Sequence, residues 1–169
     1  MKRLCAWFII LLSAIALAAC QGGTGMMADT DENLPAPQAD AVWTYISQTN
    51  PYTQWEFWPG KAGMYPGQSP HGAYLKLYAN PVAIEAVRAG KTQMPDGALI
   101  VKENYAKDRK TLAAVTPMYK VEGYNPGAGD WFWAKYGPAG EVQASGKVDG
   151  CINCHATQKQ NDWLFTKAE

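Results

Sequence analysis

The chain has 169 residues, and its 15 basic side chains are balanced by 15 acidic ones. Because the sequence shows no excess of Lys and Arg and no basic patch, nucleic acid is set aside as a partner. The roughly 130 residues that follow residue 40 are enough for one domain with a single core. Six of the seven Trp residues and all nine Tyr residues follow residue 40 and supply large side chains for that core.

The first 20 residues have the pattern of an export signal. Lys2 and Arg3 are positively charged, residues 4–16 are apolar and small residues follow, which is typical of a secretory leader. The apolar run is too short to predict a membrane span. Export also changes the charge, because a mature chain without Lys2 and Arg3 has 13 basic and 15 acidic side chains, a formal charge of −2.

The leader ends in Leu-Ala-Ala-Cys at residues 17–20, which resembles the cleavage box of bacterial lipoproteins. In that interpretation Cys20 is the lipidated first residue of the mature protein. The alternative is an ordinary leader that leaves Cys20 as a free thiol. Gln21 in place of Asp favours the outer membrane, with the protein facing the periplasm. The predicted segments are a signal peptide at 1–19, a flexible tether at 20–40 and a folded domain at 41–169.

Short helices and one irregular segment are predicted in the first half of the domain. Apolar residues at i, i+3 and i+4 predict a helix around residues 42–46. The density of Pro and Gly predicts a loop at residues 55–70. Asn80 is a suitable N-cap and Pro81 a suitable first residue for a second helix, expected over residues 82–89 and ended by a glycine.

Five strands are predicted, separated by turn-length gaps. Pro117 argues for an edge position or a bulge in the third strand, because proline cannot donate a ladder hydrogen bond. Strands joined by short turns predict an antiparallel sheet, so the expected fold class is mainly β (α+β) with a few short helices. The predicted strands cover residues 73–79, 98–105, 115–121, 130–136 and 141–145.

The most specific motif is Cys151-Ile152-Asn153-Cys154-His155, near the end of the chain. C-x-x-C-H is the pattern of c-type haem attachment. Two thiols three positions apart on one turn can form thioethers with the haem vinyl groups, and the histidine can then ligate the iron. Cys151 and Cys154 are therefore the predicted attachment sites of one covalent haem c, and His155 is the predicted proximal ligand.

Other chemistries also use paired cysteines. A zinc site would need two more ligands, yet the only other histidine is His71, and the remaining cysteines, Cys5 and Cys20, lie in the leader. A redox dithiol is expected between a strand and a helix of a βαβ unit, a pattern that the sequence does not show. Export agrees with the haem interpretation, because bacterial c-type cytochromes acquire their haem outside the cytoplasmic membrane. It also leaves no cysteine pair for a disulfide.

Several shorter motifs precede C-x-x-C-H in a fixed order: His71-Gly72, Tyr78-Ala79-Asn80-Pro81, Pro95-Asp96-Gly97, Val101-Lys102-Glu103 and Gly129-Asp130-Trp131. In this order and spacing the chain resembles the cytochrome P-460 family, which includes the cytochromes c′-beta. The resemblance extends over residues 43–166. It implies a mainly antiparallel β fold, a homodimer, and a haem held by two cysteines and a proximal histidine.

Within that resemblance, Lys102 matches a lysine that is cross-linked to the haem macrocycle in cytochrome P-460, an enzyme that oxidises hydroxylamine. The alternative for Lys102 is a strand lysine paired with a carboxylate or a haem propionate. This chain lacks the family's arginine in the preceding strand, and the family's distal carboxylate falls near Thr116. A proton-coupled oxidation without a placed base would be slow. Glu103 and Glu122 are the nearest acids that could replace it.

The side of the iron opposite His155 decides between functions. Met118 shares a strand face with Thr116, so its thioether is the first candidate for a sixth ligand, which would suit electron transfer. The alternative is a methionine of the core. His71 lies in a loop and is interpreted as a surface or hydrogen-bonding residue rather than a ligand. The aromatic residues that could wall the haem, or simply fill the core, are Phe57, Trp58, Phe132 and Trp133.

These residues lead to three hypotheses about function. The first is a lipid-anchored electron carrier that serves a redox partner protein. The second is a protein with an open iron site that binds nitric oxide. The third is a hydroxylamine-oxidising enzyme with a Lys102 cross-link. A lipoprotein of the cell envelope without haem is the remaining alternative.

Overall fold

A computed structural model describes residues 34–166 of the chain. The predictions for the leader, for Cys20 and for most of the tether lie outside the described residues. One seven-stranded sheet organises the described part, and every neighbouring pair of its strands is antiparallel. The expected fold class is therefore confirmed. The strands are β1 Glu56–Phe57, β2 Tyr65–Pro66, β3 Tyr74–Ala79, β4 Leu99–Tyr105, β5 Leu112–Lys120, β6 Trp131–Tyr136 and β7 Val142–Gly146.

The sheet runs in the order β1-β3-β4-β5-β6-β7, and β2 also pairs with β3. From β3 to β7, neighbours in the sheet are therefore successive strands of the chain. The two-residue strands β1 and β2 fall within residues 55–70, where a loop was predicted. That prediction holds for most of the segment but missed these two short pairings. Their effect is to hold the loop along the free side of β3.

Within the described residues three α-helices accompany the sheet: α1 Ala39–Thr44, which continues into a π-helical turn at Tyr45–Thr49; α2 Pro81–Arg88; and α3 Asp149–His155, which is followed by a 3₁₀ helix at Ala156–Asn161. Single 3₁₀ turns lie at Tyr52–Gln54 and Pro126–Ala128. The two helices expected from the sequence pattern are α1 with its π-helical turn and α2. None of the helices within residues 34–166 is long and apolar enough to cross a membrane.

Asn80 caps α2 as predicted and also ties the helix to the sheet. Its Oδ1 accepts hydrogen bonds from the backbone N–H groups of Ala83 and Leu99, both at 3.0 Å. Its Nδ2 donates to the carbonyl of Gly97 at 2.9 Å. Since Asn80 is almost fully buried, one side chain satisfies three backbone groups where α2 meets the first residue of β4.

Side chains alternate between the two faces of the sheet, and each face has its own core. The α3 face packs against α2, α3 and the segment after α3, and its strand residues include Leu77, Ile100, Met118 and Trp133. The α1 face packs against α1 and the π-helical turn, and its strand residues include Tyr78, Val101, Val115 and Phe132.

The expectation that Pro117 marks an edge or a bulge was wrong. β5 lies between β4 and β6 in the sheet. Pro117 is fully buried and pairs in regular register with Val101 of β4. The pairing between β5 and β6 instead skips Thr116 and Pro117 while keeping the same register on either side. A residue without an N–H is tolerated in a central strand because the ladder has a gap beside it.

Candidate functional site

The short helix α3 presents the cysteines and the histidine of the terminal motif together. The backbone N–H of Cys151 donates to the carbonyl of Val148 at 3.0 Å, so the helix begins immediately before the motif. Cys154 and His155 follow three and four residues later, which places all three on one side of the helix. Both thiols are free, with Cys151 half-buried and Cys154 exposed. Burial raises the pKa of the Cys151 thiol.

His155 is buried and its ring is held in one orientation. Its Nδ1 lies 2.7 Å from the carbonyl oxygen of Trp163. Because a carbonyl only accepts, Nδ1 carries the proton and Nε2 keeps its lone pair. Burial lowers the pKa of His155, which favours the neutral ring. A neutral imidazole with Nδ1 bound to a carbonyl is the arrangement that metal-ligating histidines commonly show.

The segment that follows α3 contains Trp163, whose carbonyl binds His155, and Asp162 attaches this segment to the sheet. One carboxylate oxygen of Asp162 lies 2.7 Å from the amine of Lys120 in β5, and the other accepts from the backbone N–H of Met94 at 2.8 Å. The carbonyl of Asp162 accepts from the indole of Trp131 at 3.0 Å. These buried contacts fix the neighbouring carbonyl of Trp163, and through it the ring of His155.

Three rings surround His155. The centroid of the Trp133 ring lies 4.6 Å from that of His155, and the centroid of Phe165 lies 5.0 Å away. The His71 ring is 6.4 Å away and stands at 85° to the His155 ring. Trp133 is buried, whereas Phe165 is 54% exposed. The site therefore has an apolar floor on the sheet and opens at the molecular surface.

On the sheet side of this site, Lys102 and Asn104 project from β4 towards the loop that carries His71. The amine of Lys102 lies 3.4 Å from Nε2 of His71, and Oδ1 of Asn104 lies 3.0 Å from Nδ1. Asn104 is itself fixed, because its Nδ2 donates to the carbonyl of Ala114 at 3.2 Å and to Oγ1 of Thr116 at 3.1 Å. The loop and the strand are thus joined through side chains.

The environment of these groups shifts their protonation. Burial lowers the pKa of Lys102 to about 8, partly offset by the negative charge that Cys154 can carry. Burial and the positive charge of Lys102 lower the pKa of His71 to about 4. At neutral pH the site thus holds a neutral His71 beside a protonated lysine.

Glu103 does not serve this site, although it was a candidate for a missing base. It points to the α1 face, where its carboxylate accepts hydrogen bonds from the hydroxyls of Tyr52, Tyr78 and Tyr105 at 3.0, 3.3 and 2.9 Å. Lys76 lies 3.7 Å from the same carboxylate. Glu103 is therefore a fully engaged structural group on the opposite side of the sheet.

The other positions considered for a distal acid are also accounted for. Glu122 is exposed, and its backbone N–H donates to Asp96 at 2.7 Å. Thr116, near which the family's distal carboxylate was expected to fall, pairs with Lys102 in the sheet. Its hydroxyl lies 3.4 Å from the carbonyl of Lys102 and accepts from Asn104. The α3 face thus has a hydroxyl at that position, in a hydrogen-bonded network.

Met118 lies on the α3 face, as the strand pattern predicted, between Ile100 of β4 and Trp133 of β6. It is buried in the same core cluster as Trp58. Its role as an iron ligand stays a prediction.

Among the four aromatic residues proposed to wall a haem, only two lie on the α3 face, namely Trp58 and Trp133. The proposal was wrong for Phe57 and Phe132, which pack in the cluster of the α1 face. Strand alternation separates Phe132 from its neighbour Trp133. The ring of Phe57 lies 4.8 Å from that of Tyr78 on the same side.

Two buried indole N–H groups of the α3 face lack a hydrogen-bond partner, those of Trp133 and Trp163. The Trp133 ring lies 4.6 Å from that of His155, whereas the Trp163 ring packs against Gly129. A buried unsatisfied donor costs about 1–3 kcal/mol, so the Trp133 indole beside His155 indicates a bound group that carries acceptors. Haem fits, because it offers carboxylates to such donors, vinyl groups to free thiols and iron to an imidazole. The residues present therefore fit the cofactor that the terminal motif predicts.

Sequence reasoning did not place His71 beside His155, and it did not single out Asn104 or Trp163. His71 is partly buried and hydrogen-bonded, so its interpretation as a hydrogen-bonding residue is confirmed. Its proximity to His155, 84 positions later in the chain, has no local sequence signal. The order Asp162-Trp163 directly after α3 is a local pattern, but nothing in it indicates that a main-chain carbonyl would hold the histidine.

An antiparallel sheet with a C-terminal C-x-x-C-H helix packed on one face defines a haem protein of mainly β structure. The chain belongs to the Cytochrome P460 family, whose model matches residues 49–166. This confirms the resemblance seen in the sequence, and because members of the family bind haem, the protein is a haem protein. None of the curated proteins compared with the chain matches it.

Proposed function

We propose that the protein is a c-type cytochrome that faces the periplasm and acts in electron transfer or in the handling of nitric oxide and related small nitrogen oxides. One haem is held by thioethers to Cys151 and Cys154 and is ligated by His155. The observation that carries this proposal is the state of His155, whose Nδ1 is bound to the carbonyl of Trp163 while Nε2 is left as a ligand. It lies on the same short helix as two free thiols.

When bound, the haem supplies a one-electron iron couple and an axial position for small ligands. The carbonyl of Trp163 holds the tautomer of His155. Lys102 contributes a positive charge at the edge of the site, which favours the reduced iron and attracts anionic groups. The indole N–H of Trp133, whose ring lies 4.6 Å from that of His155, is available to donate to a haem carboxylate.

The sequence supports a location at the cell envelope. A leader with Cys20 at a lipoprotein-like cleavage box supports a lipid anchor, and Gln21 in place of Asp favours the outer membrane. Residues 20–40 have the composition of a tether. The domain of residues 41–169 would then lie in the periplasm and exchange electrons with a redox partner protein. A homodimer is implied by the resemblance to the family.

The first test is covalent attachment of the haem. The full chain, produced in bacteria that mature c-type cytochromes, is expected to retain haem on a denaturing gel and to give the pyridine haemochrome spectrum of two thioethers. A double variant, Cys151→Ser with Cys154→Ser, should lose the haem stain. A wild-type chain that carries no covalent haem would contradict the proposal.

Handling of nitric oxide is tested separately. Reduced protein titrated with nitric oxide is expected to form a nitrosyl complex at near-stoichiometric gas. If no nitrosyl forms although the iron can be reduced and re-oxidised reversibly, the result contradicts the gas-binding role and leaves electron transfer as the proposed function.

A second candidate function is oxidation of hydroxylamine with Lys102 cross-linked to the haem. The position of Lys102 favours it, because the amine lies 3.4 Å from His71 and its pKa is lowered to about 8, which increases the fraction of free amine. Peptide mapping of the holoprotein shows whether Lys102 is cross-linked to the haem. A Lys102 peptide recovered without haem would exclude the cross-link.

A further inference from the structure

We propose that His71 is the second axial ligand of the iron, opposite His155. This proposal rests on the proposed haem at Cys151 and Cys154 and specifies the sixth position of its iron. The sixth position of the iron is then occupied by the imidazole of His71 and is neither open nor occupied by Met118. The resting protein is accordingly a six-coordinate bis-histidine cytochrome.

The spacing of the two rings carries the argument. The centroids of His71 and His155 are 6.4 Å apart. A bond from a first-row metal to an imidazole nitrogen is about 2.0–2.1 Å, so two imidazoles that bind one metal from opposite sides have centroids about 6 Å apart. The described part of the chain contains no other histidine. The two rings therefore already have the separation that one shared metal ion requires, at an interplanar angle of 85°.

Both rings are also held with the same nitrogen available. Nδ1 of His155 is engaged by the carbonyl of Trp163, and Nδ1 of His71 is engaged by Oδ1 of Asn104 at 3.0 Å. The same Oδ1 accepts from the backbone N–H of Gly72 at 3.2 Å, which identifies that atom as the amide oxygen. Each ring therefore carries its proton on Nδ1 and keeps Nε2 as a ligand. In each case an oxygen acceptor binds the Nδ1 proton and orients the ring, as is typical of metal-binding histidines.

The loop that carries His71 is firmly placed on the sheet. The N–H of His71 donates to the carbonyl of Gln68, and that of Gly67 donates to the carbonyl of Ala73, both at 2.9 Å. Gly72 lies so close to β4 that an added Cβ would be 2.6 Å from the backbone nitrogen of Tyr105. A glycine is thus required for the close approach that brings His71 to this position.

The contact between Lys102 and His71 does not compete with this role. At 3.4 Å between Nζ and Nε2, it is beyond the usual length of a strong hydrogen bond, so iron would displace it readily. Met118 has a different environment, because it is packed among core residues of the sheet between Ile100 and Trp133. His71 is the residue that combines a ligating atom with a supporting hydrogen bond.

The test is the spin state and ligand set of the full-length ferric holoprotein, read by optical, electron paramagnetic resonance and near-infrared magnetic circular dichroism spectra. The wild type is expected to be low-spin with the charge-transfer band of two imidazoles. His71→Ala should lose the low-spin signal and become high-spin, and added imidazole should restore it. His71→Met should move the near-infrared band to the His–Met position, and Met118→Leu should leave the wild-type spectra unchanged.

Several outcomes would overturn the assignment. They are a high-spin wild type with covalent haem, a low-spin His71→Ala variant without added imidazole, and a Met118→Leu variant that loses the low-spin signal. Haem staining of each protein separates the two proposals. Absence of covalent haem in the wild type overturns the proposed function and this inference together, whereas covalent haem with high-spin iron overturns only the role of His71.

Discussion

The amine of Lys102 lies 3.4 Å from Nε2 of His71, so a residue of β4 and a residue of the loop between β2 and β3 meet at the site that α3 completes. Strand pairing places Lys102 on the α3 face, and the close packing of Gly72 against β4 brings His71 to it. The positive charge beside the proposed iron site leads to the first prediction.

Lys102→Met is expected to lower the reduction potential of the haem. A positive charge in a partly buried site favours Fe(II) over Fe(III). Its loss should lower the reduction potential by on the order of tens of millivolts at an effective dielectric constant near 20. Redox titration of wild type and variant at neutral pH measures the shift. Lys110→Met, which removes an exposed charge, is the control and should change the potential much less. An unchanged potential in Lys102→Met would show that its charge does not act on the iron.

Glu103→Ala is expected to destabilise the fold without changing the haem spectrum. The substitution leaves three tyrosine hydroxyls without their shared acceptor and Lys76 without its partner, which should cost about 2–4 kcal/mol in the free energy of unfolding. Guanidinium unfolding measures the loss. Glu122→Ala removes an exposed carboxylate and should stay within about 0.5 kcal/mol of wild type. A large spectral change in Glu103→Ala would instead connect the α1 face to the haem.

The elements with local signals were predictable from the sequence. Asn80 followed by Pro81 predicts the start of α2 because the cap and the first helical turn are local, and the structure confirms it. The position of Pro117 was not predictable in the same way. Whether a strand lies at an edge depends on which other strands pair with it, and the gap that accommodates Pro117 belongs to the pairing of β5 with β6.

The candidate site shows the same division. Strand alternation separates Phe132 from Trp133, but it does not say which of the two faces α3, so half of the proposed aromatic wall was assigned to the wrong side. Cys151, Cys154 and His155 form a contiguous motif, whereas His71 joins them only through the fold. Its approach depends on the register of β3 and β4 and on the packing of Gly72, neither of which has a signal in one sequence.

Tyr119 is expected to make the fold less stable in alkaline solution. Burial, with the nearby charge of Asp96, raises its pKa to about 12, above the value near 10 in an unfolded chain. As the pH rises past 10 the unfolded chain releases this proton first, so the stability present below pH 10 is lost up to about pH 12, at about 1.4 kcal/mol per pH unit. Denaturant midpoints between pH 8 and 11 measure the slope. Tyr119→Phe should have a shallower slope above pH 10, and equal slopes would contradict the assignment.

His71→Ala is expected to speed the binding of carbon monoxide to the reduced protein. If His71 occupies the sixth position, an incoming gas must wait for it to dissociate, and the apparent affinity and rate fall with the fraction of protein that is open. Removing the imidazole should therefore increase the rate by about tenfold or more, while His71→Met, which supplies a thioether in its place, should remain slower than His71→Ala. Flash photolysis and stopped-flow mixing measure both variants against wild type. Equal rates in wild type and His71→Ala would mean that the position opposite His155 is already open in the reduced protein, and nitric oxide would then reach the iron without displacing a residue of the chain.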